Sequence, residues 1–411
     1  MKWKRRYPYL VEISREGVPP WIGALLVVGL CLASCEFCAS GAPPEADPLD
    51  AIVNTMYNAE YSQAQSELQE WVKKHPDDIR AWNYLAESVL DQEMVREGLY
   101  TGAAYGNSGI AFRQRVEPVS AGFQAMLEQI LDRAQKLETE RLKRDPKDEE
   151  ALYWLGVTYS TRTEFEFAIN RSYLAALREG KRAWKLNERL LKINPHCADA
   201  HFVIGLADYA AGSLPWYFKV IASIAGVHGS QSQGIEDLKR ASSEGRYTRV
   251  DAKVVLVAIY EREKQFPQAL ALLRLLHQEF PWNYLAAIEI GRIEELQGNW
   301  QQAAVDYDAA VEKFVHGHQD PSNAPRADIL LQAGKAHEHL GETEKALDSY
   351  HEAGSQPGHA VAVYQSDLSA AQLDQRLHHV AEAKKEYQTV IEAVPGTTLA
   401  KQARQGLAGL Q

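Results

Sequence analysis

Residues 256–310 read LVAIYEREKQFPQALALLRLLHQEFPWNYLAAIEIGRIEELQGNWQQAAVDYDAA, and this stretch decides the fold. It writes one pattern twice. Val257 and Gly291 lie 34 residues apart, as do Ala269 and Ala303, and Leu273 and Tyr307. An interval of 34 residues belongs to a helix–turn–helix unit that stacks into a solenoid, each copy burying the apolar flank of its neighbour. Such stacks bind other molecules along an extended surface and rarely carry chemistry.

The same unit can be followed outward in both directions. Its first helix carries apolar or small residues at unit positions 4, 7, 8 and 11, which fall on one stripe. Its second helix has a small residue at position 20 and larger apolar ones at 24 and 27, with a proline near 32 to stop it. Small residues at 8 and 20 let the two helices approach closely. A degenerate first unit, about 45–78, has Tyr61, Ala64, Leu68 and Pro76. The unit at 79–148 opens with Trp82, Leu85, Ala86 and Val89, and that at 149–197 with Leu152, Leu155, Gly156 and Tyr159. The unit at 198–249 has Ile204 and Gly205. Units follow at 250–283 (Leu256, Val257, Tyr260, Ala269, Pro281) and 284–317 (Ile290, Gly291, Gly298, Tyr307). Two more lie at 327–360 (Ala333, Gly334, Gly341, Ala346, Tyr350) and 364–397 (Ala370, Ala371, Ala383, Tyr387, Pro395). Residues 398–411 then form a capping helix.

These residues resemble the tetratricopeptide repeat family. The resemblance implies an all-α, right-handed α-solenoid of about eight helix pairs over residues 49–411, with insertions in the N-terminal half. Residues 98–110, rich in Gly and Tyr, read as a loop, and 119–144 and 164–193 as long second helices. The segments 171–182 and 207–233 resemble a group of exported bacterial tetratricopeptide lipoproteins, over about residues 130–310. That likeness names no substrate and lends no catalytic residue.

Composition sets outer limits. The chain is 45% apolar and 24% charged, ordinary for a folded protein, and its net charge of −11 makes nucleic acid an improbable partner. Four cysteines in 411 residues do not make a disulfide framework. Lys2, Lys4, Arg5, Arg6 and Arg15 precede an apolar run from Trp21 to Ala33, the pattern of a secretory signal. It ends in Leu32-Ala33-Ser34-Cys35, which looks like a bacterial lipobox with Cys35 as the lipidated first residue of the mature chain. An uncleaved anchor, or a signal cut near residues 39–42, is the alternative. Residues 1–34 hold five basic and two acidic side chains, so their removal takes the net charge from −11 to −14. Residues 35–48 read as a flexible tether. The expected location is the bacterial envelope, lipid-anchored, with the outer membrane favoured and the body in the periplasm.

Positions 2, 5, 9 and 12 of each unit should line the inner groove. They supply Asn83, Glu87, Tyr153, Phe202 and Tyr209 in the N-terminal half, and Glu261, Arg292, Glu295, Lys335 and Glu338 in the C-terminal half. The bland alternative is that the aromatics pack against the insertions. Trp216, Tyr217 and Phe218 open an apolar helix that either touches lipid or a partner or folds back over the concave side. Candidates for chemistry are thin. His316, His318 and Asp320 form an H-x-H-x-D string in a linker, where solvated polar residues are ordinary. His337 and His339 sit on different faces of one helix, and His378 and His379 fall in a turn. Cys197 reads as a semi-buried thiol. No cofactor or metal is expected. The reading is a non-enzymatic scaffold with an unidentified protein partner. The alternatives are an accessory lipoprotein of an outer-membrane assembly or export machine, and an enzyme with a site hidden in the insertions.

Overall fold

The computed structural model describes residues 47–97, 99, 119–213, 229–316, 325–356 and 361–410, and every regular element among them is helical. Among these described residues eight helix pairs follow one another, and a ninth position is filled by a single helix. They are α1 (Pro48–Tyr57) with α2 (Tyr61–Lys74), α3 (Ile79–Arg96) with α4 (Ala121–Arg144), α5 (Glu149–Glu164) with α6 (Tyr173–Ile193), and α7 (Ala200–Gly212) with α8 (Gln231–Glu244). The C-terminal pairs are α9 (Arg249–Arg262) with α10 (Phe266–Glu279), α11 (Tyr284–Leu296) with α12 (Trp300–His316), α13 (Pro325–Leu340) with α14 (Thr343–Gly354), and α15 (Val361–Arg376) with α16 (Val380–Ala393); α17 (Thr398–Ala408) closes the stack. The all-α solenoid read from the sequence is the architecture observed.

Local chemistry starts and turns these helices. Asp47, Asp78, Asp148, Ser230, Asn283 and Thr397 each accept a backbone N–H of the first turn that follows, satisfying donors that a helix start leaves open. Within five pairs the turn is made by a residue in the left-handed region: Ala59, Lys264, Gly298, Gly341 and His378. All five occupy the same unit position, the fifteenth. One departure from expectation lies at residues 164–193. The first helix runs on as a π-helical turn at Phe165–Ile169, Arg171 adopts φ 56°, and the second helix starts only at Tyr173.

In the C-terminal half the pairs lock by one device. A Cβ on Gly291 would come within 2.4 Å of the Tyr307 ring, and one on Gly334 within 2.5 Å of Tyr350. The glycines exist to admit those rings. The hydroxyls of Tyr307, Tyr350 and Tyr387 donate to Glu295 (3.0 Å), Glu338 (2.8 Å) and Gln375 (2.7 Å), each 12 residues earlier. Glu295 and Glu338 are thus acceptors for a partner tyrosine within their own repeat. One apolar core runs from Leu49 to Ala336 and a second from Ala327 to Ala403.

The N-terminal half does not stay open. Helix α1 packs against the α9–α11 region, nearly two hundred residues on. The Tyr57 hydroxyl donates to Asp251 (3.2 Å), and its ring tilts against Phe280 at 5.1 Å. Trp282 N–H donates to Asn58 Oδ1 (3.0 Å), and Asn283 Nδ2 to the Tyr57 carbonyl (2.8 Å). Asp47 pairs with Arg80 and, at 3.9 Å, with Arg246. These bonds seat the first pair on the fifth. No helix among the described residues is long and apolar enough to cross a membrane.

Candidate functional site

Closure by α1 leaves a cavity of about 140 Å³ between the first helices of the N-terminal units and the α9–α11 segment. Apolar walls come from Tyr57, Trp184, Phe202, Leu206, Val254 and Phe280. Into this space project carboxylates from three helices: Glu87 and Asp91 on α3, Glu164 on α5 and Asp251 on α9. Glu87 and Glu164 are buried, and Asp251 is fully so.

Their surroundings are unusual for charged groups. Both carboxylate oxygens of Glu87 and one of Glu164 are buried without a hydrogen bond. Burial pushes the Glu87 carboxyl far above the carboxylate range, and the negative charges of Asp251, Asp91 and Glu164 push it further. Glu164 moves the same way, through burial and then Asp91 and Asp251. Asp91 is raised by burial and then by Asp251. The cavity therefore combines an apolar wall with Glu87 and Glu164 carboxyl groups that no basic side chain among the described residues offsets. That combination suits a cation with an apolar body.

A second buried polar group is fully satisfied. Glu138 accepts from Asn83 Nδ2 (2.7 Å) and from Thr158 Oγ1 (3.0 Å), and Thr158 also donates to Asn83 Oδ1 (2.9 Å). Burial pushes the Glu138 carboxyl up to about 8 against the opposing effect of those bonds. This network ties α3, α4 and α5 together and has no spare valence for a ligand.

The expected groove residues are divided by this geometry. Glu87 and Phe202 line the cavity. Asn83 lies in the Glu138 network. Tyr153 is buried, stacked on Tyr247 at 5.2 Å and edge-on to Trp154. Tyr209 is buried and donates to Glu263 (3.1 Å). Arg292 is held in ion pairs with Glu261 and Glu289, and Lys335 is exposed beside Gln332. Asn83, Tyr153 and Tyr209 thus sit inside rather than along an open groove, because the stretched N-terminal units fold over the surface that an unclosed solenoid would expose. Cys35, the Trp216, Tyr217 and Phe218 segment and the His318 and Asp320 part of the H-x-H-x-D string lie outside the described residues, as does the side chain of His316. His337 is buried between Glu342 (2.7 Å) and Asp308 (3.1 Å), while His339 stacks on Trp300 at 3.7 Å, so the two do not converge. The Cys197 thiol is pushed up to about 11 by burial, which leaves it a poor nucleophile near neutrality.

Sequence reasoning missed Asp91, Glu164 and Asp251. A signal existed. Glu87 and Asp91 are like charges four apart on one helix, an arrangement that costs stability when neither has a basic neighbour.

No family model matches the chain, and no curated protein matches it in sequence. Solved structures similar to it include yeast Tom70, at 12% identity over 88% of this chain and 88% of that one, TM-score 0.42. Pseudomonas aeruginosa PilF is similar at 15% identity over 64% of this chain and 99% of that one, TM-score 0.39. Human IFIT1, solved as a dimer with PPP-AAAA, is similar at 14% identity over 98% and 83%, TM-score 0.42. The decisive observation is internal: helix pairs recurring at 34 residues where no insertion intervenes, turned at one left-handed position and locked by the tyrosine of position 24. The fold is tetratricopeptide-like. In a tetratricopeptide-like stack the concave side is the ordinary place for a ligand, and here that side is closed into an acidic chamber.

Proposed function

We propose that this chain is a non-enzymatic scaffold for a protein partner, and that the acidic chamber receives a Lys or Arg side chain of that partner. The stranded oxygens of Glu87 and Glu164 carry this reading. A buried carboxylate without a partner is costly, so the group either keeps a proton or takes a counter-charge. A basic side chain supplies both needed parts. Its methylene stem would lie on Tyr57, Phe202 and Phe280, and its cationic head among the carboxylates. The test is thermal melting at pH 8 with N-acetyl-lysine amide and, separately, N-acetyl-norleucine amide. The lysine derivative should raise Tm, the norleucine derivative should not, and Glu87→Gln with Glu164→Gln should abolish the difference. Equal effects of the two compounds would refute the charge requirement.

The same reading extends to location. Basic residues before an apolar run, followed by Leu32-Ala33-Ser34-Cys35, support export and lipid attachment at Cys35, with the body in the periplasm of a bacterial envelope. Cys35→Ala should abolish fatty-acid labelling and release the protein from membranes; retention would point to an uncleaved anchor. Fixed co-purifying partners from detergent-solubilised envelope would favour the narrower role of accessory subunit in an outer-membrane assembly or export machine.

A further inference from the structure

Among the C-terminal pairs, one histidine stands apart from the other paired imidazoles. His337 has a carboxylate on each ring nitrogen, at 2.7 and 3.1 Å, a closed bridge with nothing left over. His351 offers one nitrogen to two carboxylates. Its Nε2 lies 2.8 Å from Glu386 Oε1 and 4.0 Å from Asp374 Oδ2. The latter distance is too long for a hydrogen bond. Asp374 is only 2% exposed, yet its Oδ2 has no hydrogen-bond partner, and the second Glu386 oxygen is likewise buried and unpartnered. Three helices, α14, α15 and α16, thus aim one imidazole and two carboxylates at a common gap.

We propose that His351, Asp374 and Glu386 bind a divalent transition-metal ion of the zinc class. The donor atoms all lie within 4.8 Å of one another. Around a tetrahedral Zn²⁺ with bonds of about 2.0–2.1 Å, ligand atoms stand about 3.3 Å apart. The observed separations of 2.8 and 4.0 Å straddle that value, so small side-chain rotations complete the triangle. One imidazole and two carboxylates suit Zn²⁺ or its neighbours and disfavour Cu⁺, which wants sulfur. The outer shell is in place. His379 Nδ1 lies 3.0 Å from Asp374 Oδ1, which turns Oδ2 toward the gap. Asp367 adds another negative charge near His351 and Glu386. His351 is half-exposed, so water can fill the fourth position. His379 is a positioning residue here, not a ligand.

The experiment uses the full chain without a histidine tag, stripped by chelator. Co²⁺ titration should develop a visible ligand-field absorption that saturates at one equivalent, and Zn²⁺ should displace it. His351→Gln and Glu386→Gln should each weaken binding at least tenfold. His379→Ala should weaken it about 10- to 100-fold without removing a ligand. His378→Ala should change nothing. Melting of each metal-free variant by circular dichroism shows that loss of binding is not loss of fold; because His351 is half-exposed, its Gln variant keeps the stack. No uptake of Co²⁺ by the unmodified chain overturns the proposal. So does undiminished uptake by the His351→Gln/Glu386→Gln double variant, which would move the ion elsewhere, His316 and His318 included.

Discussion

The two halves of this solenoid use their inner-face polar residues in opposite ways. From α9 onward the units keep close to the 34-residue interval, and three of them commit the polar residue of position 12 to their own tyrosine of position 24. Those bonds are local, and each unit is satisfied by itself and its neighbours. From α1 to α8 the units are stretched, α1 reaches across to the α9–α11 segment, and the inner-face groups are enclosed. There Glu87 and Glu164 keep stranded oxygens while Asn83 is consumed by Glu138. Regular spacing therefore produces a stable wall, and irregular spacing produces a chamber.

The largest effect expected from this contrast is on pH dependence. Glu138 has its folded pKa raised to about 8 from 4.5. Between those values the folded chain holds a proton that the unfolded chain has released, so stability is full below about pH 4.5 and falls as pH rises toward 8. At about 1.4 kcal/mol per unit the loss has an upper bound approaching 5 kcal/mol. Glu87, Asp91 and Glu164 are displaced in the same direction and add to the fall. Glu138→Gln should flatten that slope in melts from pH 5 to 8. A slope unchanged by the substitution would mean the network carries no such proton.

Gly291→Leu attacks the other half. Any β-carbon added there would stand 2.4 Å from the Tyr307 ring, so overpacking should cost about 3 kcal/mol. Because neighbouring units hold one another up, amide exchange should rise across 284–410 and much less in α3 to α6. Uniform exchange would show that the halves unfold as one. Tyr57→Ala tests the closure itself. It should cost about 2 kcal/mol, less than a fully buried aromatic because Tyr57 is half-buried. Protection should fall in α1 and in α9 to α10 together. Smallest of all, Lys264→Gly should stabilise by about 0.5–1 kcal/mol, since Lys264 holds φ 58° in the turn where two later units have glycine. A destabilising result would mean that the Lys264 side chain contributes more than the turn strain it carries.

The regular half was legible in the sequence because its determinants are short-range. Gly291, Gly334, Tyr307 and Tyr350 recur at fixed positions, and each does the same thing in each unit. Even there, Glu295 and Glu338 looked like groove residues, since sequence spacing places them on the inner face without revealing the tyrosine above them. The chamber was not legible. Tyr57 and Asp251 meet across 194 residues, and no periodicity reports such a meeting. Glu87 and Phe202 were recognised as inner-face residues, but Asp91, Glu164 and Asp251 gain their meaning only when α1 shuts the space. The His351, Asp374 and Glu386 gap belongs to the same kind. Its members come from three helices in two units, with no motif spacing to draw attention.

The seating of α1 has a mechanical corollary. A pull on the N-terminal end of the chain enters the fold at Pro48 and loads the Asp47, Tyr57 and Asn58 bonds before any other. Those bonds are few and take the strain first, whereas the stacked pairs beyond share any load among many contacts. Tension at that end would peel the first helix like a latch and uncover the acidic interior, while leaving the repeat wall standing.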